Sequence, residues 1–267
     1  MQLVRYFKKI GLSDYIVSKV LPLIEANQSS YAKYLDNLVN VDTAEDEYLK
    51  IKQDFPDDEQ SFIILSIYLL ASIETMKVYR EKKISIKIFY ETMKCITRFI
   101  KECKVMNGEE YFDRDFWVHK QISLNIFRIG ELEYELLKNA TISIHIPSDA
   151  VLTKENIESS LNQLKKFIAR HYPQYNKQLI YCDSWLLSPN LKKFLKDDSN
   201  ILTFQKFFDV KAINEDNNDF IGWLFQTKNI KDIDGFKETT SLQRQVKQAL
   251  LNNEKIGSAY GVLKLNV

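Results

Sequence analysis

The sequence predicts a mixed α+β protein in two parts: an all-helical first domain over residues 1–113 and an α/β second domain with a mixed sheet over residues 114–267. Three observations carry this reading. Up to about Asp113 apolar residues recur at every third and fourth position. Beyond Gly130 the period becomes two, with Leu132, Tyr134 and Leu136 alternating with Glu131, Glu133 and Glu135. A length of 267 residues with 45% hydrophobic and 12% aromatic composition suffices for two cores.

In the first half, Ser13 or Asp14 caps a helix bearing Ile16, Val20, Leu23 and Ile24, and Tyr31, Tyr34, Leu35 and Leu38 mark the next. Asp42 or Thr43 opens a short acidic helix. Pro56 and the acidic DDEQ start a central helix whose Phe62, Leu65, Leu69, Ile73 and Met76 share a face. Its run FIILSIYLLASI falls short of the roughly 20 residues a membrane span needs, so it reads as a buried helix. Ser85 begins another, with Ile88, Met93, Ile96 and Ile100 inward. Cys95 and Cys103 lie among apolar helical positions and read as packing thiols.

In the second half a helix is expected through Phe116, Trp117, Leu124 and Phe127, with Gly130 as its positive-φ stop; His119 on it reads as structural. Two antiparallel strands follow, Leu132–Leu136 and Ile142–Ile146, turning at Asn139 and Ala140. Thr153 caps a helix with Ile157, Leu161, Leu164 and Ile168 inward, and the strand LIYC comes next. Ser188 and Pro189 start a short helix. Ile201–Val210 and Phe220–Phe225 read as a hairpin across NEDNND. Thr240 and Gln243 form a capping box for a last helix bearing Leu242, Val246 and Leu250, and AYGVLKL closes as a strand.

Lys and Arg number 37 against 36 Asp and Glu, so no overall field favours nucleic acid or an anionic membrane; a small-molecule substrate is the partner expected. Three cysteines without metal-ligand spacing suit a reducing compartment. The opening MQLVRYFKKIGLSDYIV lacks the apolar core of a secretory signal, and a cytoplasmic location is expected. No Ser-His-Asp, zinc-ligand or Walker pattern occurs.

His145 stands on the strand face opposite Ile142, Ile144 and Ile146 and directly before Pro147, which makes it the best candidate for a polar site residue; the alternative is that it hydrogen-bonds the loop after Pro147. Cys182, Asp183, Ser184 and Trp185 fall where a strand meets a short helix, the usual place for sites in open α/β sheets. Cys182 reads either as a nucleophile or as a packing thiol, and Ser184 as a donor to a carbonyl. Asp183, Trp185 and Tyr181 are candidate substrate-binding groups, and Tyr175, Tyr181 and Tyr260 candidate general acids. Strands joined by one crossover helix emit their loops on the same sheet edge, so His145 and Ser184 are expected to converge on a single cleft.

The segments FRIGELEYEL (Phe127–Leu136), IHIPSDAVLT (Ile144–Thr153), CDSWLLSPNLKKFL (Cys182–Leu195), SNILTFQKFF (Ser199–Phe208) and TSLQRQVKQALL (Thr240–Leu251) together cover most of the second half. In order and spacing they resemble a small bacterial family of two-domain proteins. In that family an N-acyltransferase-like helical domain precedes a GNAT-like, that is acetyltransferase-like, α/β domain. The first half is similar to it in length and helical content. The resemblance implies acyl-CoA or acetyl-CoA as donor substrate, an amine or other small nucleophile as acceptor and, since it includes the HIP segment, His145 as a general base or as the orienter of a substrate group; no metal is expected, because no metal-ligand spacing occurs. It also implies a coenzyme A loop, whose glycines in GNAT proteins let backbone N–H groups approach the pyrophosphate. Here that loop is PSDAVL, with an aspartate and no glycine, and a carboxylate facing a pyrophosphate is repulsive unless turned away. A non-catalytic ligand-binding or interaction protein on the same scaffold is the alternative.

Overall fold

The computed structural model describes residues 2–227 and 229–264. The chain divides into two units, residues 1–129 and 130–267. The first contains helices α1 (Gln2–Ile10), α2 (Asp14–Val39), α3 (Ala44–Asp54), α4 (Phe62–Glu81), α5 (Ile86–Asn107) and α6 (Asp115–Ile122). A short strand, β1 (Ile126–Ile129), closes it. Residues 115–129, which periodicity alone assigns to the part after Asp113, pack here: α6 lies on α4 and β1 on α5.

Local chemistry sets most helix starts. Ser13 Oγ accepts from the Ile16 N–H, and Ser85 Oγ from the Lys87 N–H. Asp58 Oδ2 accepts from the N–H groups of both Ile63 and Ile64, so the acidic DDEQ segment caps α4 rather than forming its first turn. The two helices expected between Asp14 and Leu38 are one helix of 26 residues with Pro22 inside it. The apolar α4 is 20 residues long, longer than its twelve-residue apolar run, and long and apolar enough to cross a membrane by length and composition. Its residues Ile64–Ser72 are all buried inside the unit. Tyr68 Oη donates to the Asp115 carbonyl and Thr75 Oγ1 to the Ile122 carbonyl, tying α6 to it. Cys95 and Cys103 are buried, and His119 stacks on Tyr48 with ring centroids 5.3 Å apart.

The helix expected to run through Leu124 and Phe127 ends at Ile122. Leu124 has a φ of 59°, a left-handed conformation no helix continues through, and Ile126–Ile129 are extended. Gly130 does have a positive φ of 64°, but in the turn between β1 and the next strand, not at a helix end. A Cβ built on it would lie 2.9 Å from the Ser160 Cβ, so the glycine also admits close approach of a helix.

The second unit runs β2 (Leu132–Leu136), β3 (Ile142–His145), α7 (Lys154–His171), β4 (Ile180–Ser184), α8 (Asn200–Gln205), β5 (Phe208–Asn214), α9 (Phe220–Phe225), α10 (Ser241–Leu251) and β6 (Ser258–Leu263). Its strands follow the order β2-β3-β4-β6-β5. β2 and β3 form the expected antiparallel hairpin, Glu133 opposite His145 and Glu135 opposite Ser143. Ala140 takes a positive φ at the turn, where Asn139 Oδ1 accepts from the Thr141 N–H. Helix α7, capped by Thr153, carries the chain to β4, which lies parallel to β3. Tyr134 on β2 hydrogen-bonds Ser160 on α7 at 2.8 Å.

The hairpin expected across NEDNND does not form. Ser199 Oγ accepts from the Ile201 N–H and starts α8, so only Phe208–Asn214 is a strand, and Phe220–Phe225 is a helix. β5 pairs instead with β6. Apolar runs of six residues do not distinguish buried helix from strand. Phe220, Ile221 and Phe225 join Leu191, Phe236, Val246 and Ile256 in a small core under the connecting segments. The Thr240–Gln243 capping box forms as expected. Of the closing AYGVLKL, Leu265 lies outside the described residues.

Candidate active site

The register defines two faces of the second unit's sheet, because directly paired residues share a face and alternate ones change it. Tyr134, Ile144 and Cys182 lie on one face. The other carries Glu133, Glu135, Ser143, His145, Tyr181, Asp183 and Tyr260, through the pairs Glu133–His145, Glu135–Ser143, Ser143–Tyr181 and Asp183–Tyr260. The alternation seen in β2 does not expose its glutamates: Glu133 and Glu135 are 3% and 6% exposed.

β3 and β4 pair only over Ile142–Ile180 and Ser143–Tyr181. Beyond that, β3 stays paired with β2 as far as His145, and β4 with β6 as far as Ser184. The two parallel strands therefore part at their carboxyl ends, each held on its outer side. This wedge lies where open α/β sheets receive ligands. Its walls are strand backbone, which an extended ligand arm bearing amides can engage by completing the ladder.

His145 stands at the mouth of the wedge. Its Nε2–H donates to Glu135 Oε2 at 2.9 Å. A carboxylate only accepts, so the pairing places the ring proton on Nε2 and makes Nδ1 the basic nitrogen. Glu135 is the acidic partner that the sequence does not reveal, because it is diagonal to His145 across the hairpin and ten residues away.

The remaining sequence candidates separate. Tyr181 and Asp183 share the face of His145; Cys182 and Ser184 lie on the opposite one. His145 and Ser184 thus occupy the same end of the sheet without converging, since Ser184 is three residues beyond Tyr181 and period two turns it away. Ser184 Oγ accepts from the Leu186 N–H and starts a 3-10 turn. Cys182 is fully buried, and burial pushes its thiol well above the usual range, with Asp183 adding to it. A thiol held protonated packs a core and does not attack a thioester. Trp185, half-buried, follows β4 and packs toward Phe220 at 6.4 Å between centroids. Tyr175 donates its hydroxyl to the Leu137 carbonyl, a structural use.

Burial of Cys182 has a pH consequence. The folded thiol ionises above the unfolded one, so this contribution to stability is intact below the ordinary thiol value of 9.0 and is lost as pH rises past it. Denaturation midpoints should fall above about pH 9 in the wild type and less in Cys182→Ala. A thiol reagent should modify Cys182 only on unfolding; rapid modification of the native protein would refute the assignment.

The loop before α7 is built differently from a glycine-rich anion cradle. The Val151 N–H donates to Glu131 Oε2 at 2.9 Å, the Ala150 N–H to the Pro147 carbonyl and the Thr153 N–H to the Val151 carbonyl. Asp149 is exposed, and Glu155 opens the helix. The loop thus spends its amides on acceptors of the chain itself, among them the Glu131 carboxylate.

The chain matches the N-acyltransferase N-terminal domain model over residues 1–124 and the GNAT-like C-terminal domain model over residues 126–263. No curated protein gives a significant match. Among solved structures it is similar to an acyltransferase in complex with decanoyl-CoA and teicoplanin, with a TM-score of 0.81 at 17% identity over 97% of this chain and 86% of that one. A mutant acyltransferase in complex with octanoyl-CoA gives 0.80 at 17% identity over 99% and 88%. An acyltransferase in complex with CoA and 10C-teicoplanin gives 0.72 at 16% identity over 99% and 100%. At such identities these likenesses establish the fold; the two domain models, which between them span nearly the whole chain, establish that it belongs to the two-domain N-acyltransferase family with a GNAT-like C-terminal domain.

Proposed function

We propose that the protein is an acyl-CoA-dependent acyltransferase that moves a fatty acyl group onto an amine or other small nucleophile. The observation that carries this is the parting of β3 and β4 with His145 at its mouth, paired to a buried glutamate. Family membership and the fatty acyl-CoA complexes of the similar structures agree with it. The acyl-CoA arm lies in the wedge, its thioester near the ends of β3 and β4. The acceptor nitrogen attacks the thioester carbonyl, a C–N bond forms and the C–S bond breaks. His145 takes the proton the nitrogen must lose, and Glu135 holds the imidazole in the tautomer that can accept it. Positioning of the two substrates supplies much of the remaining acceleration.

Thermal shift with octanoyl-CoA, decanoyl-CoA, acetyl-CoA and free coenzyme A tests the donor, since a ligand that binds only the native state raises its midpoint. At 100 times its Kd a donor adds about 2.7 kcal/mol, a shift of several degrees. The reading expects a response to the fatty acyl-CoAs. The spent amides of the PSDAVL loop and the carboxylate of Glu131 favour the second reading, a binding protein without a donor site. No shift with any of the four compounds would select that reading.

A further inference from the structure

The charges of the chain balance in total but not locally. Residues 1–13 and 82–90 hold six cations, Arg5, Lys8, Lys9, Lys82, Lys83 and Lys87, and no carboxylate. The first unit gathers them. Thr97 Oγ1 on α5 donates to the Ile10 carbonyl at the end of α1, and the Tyr6 ring lies 6.0 Å from Phe89 and 6.5 Å from Tyr90 between centroids. α1 therefore runs beside α5 in the same direction, so the two helix starts lie together. Lys9 Nζ is 4.6 Å from the centre of the Tyr90 ring, one turn beyond Lys87. All six cations are exposed, and among the described residues none has a carboxylate within ion-pair distance. Of the carboxylates that flank residues 82–90 in sequence, Glu81 follows Arg80 and Glu91 is held by Lys94 at 2.8 Å.

The turn between α4 and α5, which carries three of the six, is fixed by its own contacts. The Ile84 N–H donates to the Tyr79 carbonyl at 2.8 Å, the Ile84 side chain is buried, and Ser85 caps α5. Two residues on, Ile86 is 39% exposed between Lys83 and Lys87. Solvated charge at helix ends is the ordinary reading of basic residues, and it covers Lys8, Lys9, Lys82 and Lys83, which close or follow helix C-termini. It does not cover Lys87, which stands in the first turn of α5 against the helix dipole, or an exposed Ile86 among lysines. A surface of anionic phospholipid accommodates both, because headgroups meet the cations while the apolar side chain enters the interface. The phosphates of a nucleic acid would use the lysines and leave Ile86 in water.

We propose that the α4–α5 turn and the exposed face of α1 form a peripheral membrane-binding surface that seats the protein on an anionic phospholipid bilayer, with Ile86 at the interface. A balanced total charge does not oppose this, since charges further away than about 8–10 Å are screened at ordinary ionic strength. The surface goes beyond acyl transfer and does not depend on it.

The test floats the full chain with vesicles of phosphatidylcholine alone, or of phosphatidylcholine and phosphatidylserine in equal parts. The wild type should bind the second kind, leave it in about 1 M salt, where the Debye length is about 3 Å, and ignore the first. Each lysine near an anionic surface strengthens binding by about fivefold, so Lys82→Gln with Lys87→Gln should weaken it by about 25-fold. Ile86→Ser keeps every charge and should weaken it by roughly threefold to tenfold. Lys192→Gln with Lys196→Gln alters two exposed cations of the second unit, changes the total charge equally and should leave binding at the wild-type level. Every substituted side chain is exposed, and unchanged thermal midpoints verify the fold. Absence of binding to the phosphatidylserine vesicles, or equal losses from the two lysine pairs, would overturn the proposal. Vesicle binding indifferent to Ile86→Ser, with an oligonucleotide held as tightly, would assign the cations to nucleic acid and overturn the membrane surface.

Discussion

Replacing His145 with glutamine should leave the fold intact and lower acyl transfer by about 10²-fold or more, the scale of a lost general base. Glutamine is the informative choice. The imidazole donates through Nε2 to Glu135, which is almost buried, and removing that donor would leave a buried acceptor short of a partner at a cost of about 1–3 kcal/mol. The glutamine amide can reach the same carboxylate and cannot accept a proton at neutral pH. His145→Ala combines both losses; His145→Gln separates them. The loss should be in kcat, with KM for octanoyl-CoA and its thermal shift near the wild-type values, because the wedge is made of strand backbone. Wild-type turnover in a folded His145→Gln would remove His145 from the chemistry. A fall confined to KM for the donor would make it a binding residue.

The second large effect is on stability. Gly130→Ala should destabilise the protein by roughly 2–5 kcal/mol, combining the left-handed conformation at about 1–2 kcal/mol with overpacking at about 1–3 kcal/mol. The new methyl would meet the Ser160 Cβ at 2.9 Å and Cα at 3.0 Å, atoms that cannot rotate aside. Urea denaturation measures the loss. A neutral Gly130→Ala would mean that the turn can adopt a different geometry.

The positive φ of Gly130 was legible in the sequence, while its setting was not. Phe116, Trp117, Leu124 and Phe127 keep helical spacing by coincidence, and nothing local announces that Leu124 turns left-handed. Caps were read well because they are local: Ser13, Ser85, Thr153 and Thr240 each satisfy an N–H two or three residues ahead. The helices at Asn200–Gln205 and Phe220–Phe225 read as strands in the sequence because six residues are too few to show a period, and the true partner of β5 lies beyond α10. In the site, the position of His145 at a strand end was readable from alternation. Its partner Glu135 depends on hairpin register, and the sides taken by Cys182, Asp183 and Ser184 depend on a pairing across the α7 crossover. The burial of Glu133 and Glu135 ran against their charge, and only the folded chain shows it.

The place of β6 bears on how the second unit comes to exist at all. It is last of the described strands in sequence yet lies between β4 and β5, so until Ser258–Leu263 has been synthesised β5 has no partner and β4 is paired on its β3 side alone. During translation the β2–β3 hairpin can form early, while β4 waits with an open edge through the whole stretch from Trp185 to Gly257. Closing so long a loop around a strand insertion makes folding slow and leaves unpaired edges exposed to neighbouring chains. Pulse-labelling of stalled nascent chains should find the β4 amides on the β6 side unprotected until Ser258–Leu263 have been translated and have cleared the exit tunnel. The wedge that β4 lines would therefore be among the last features of the molecule to appear.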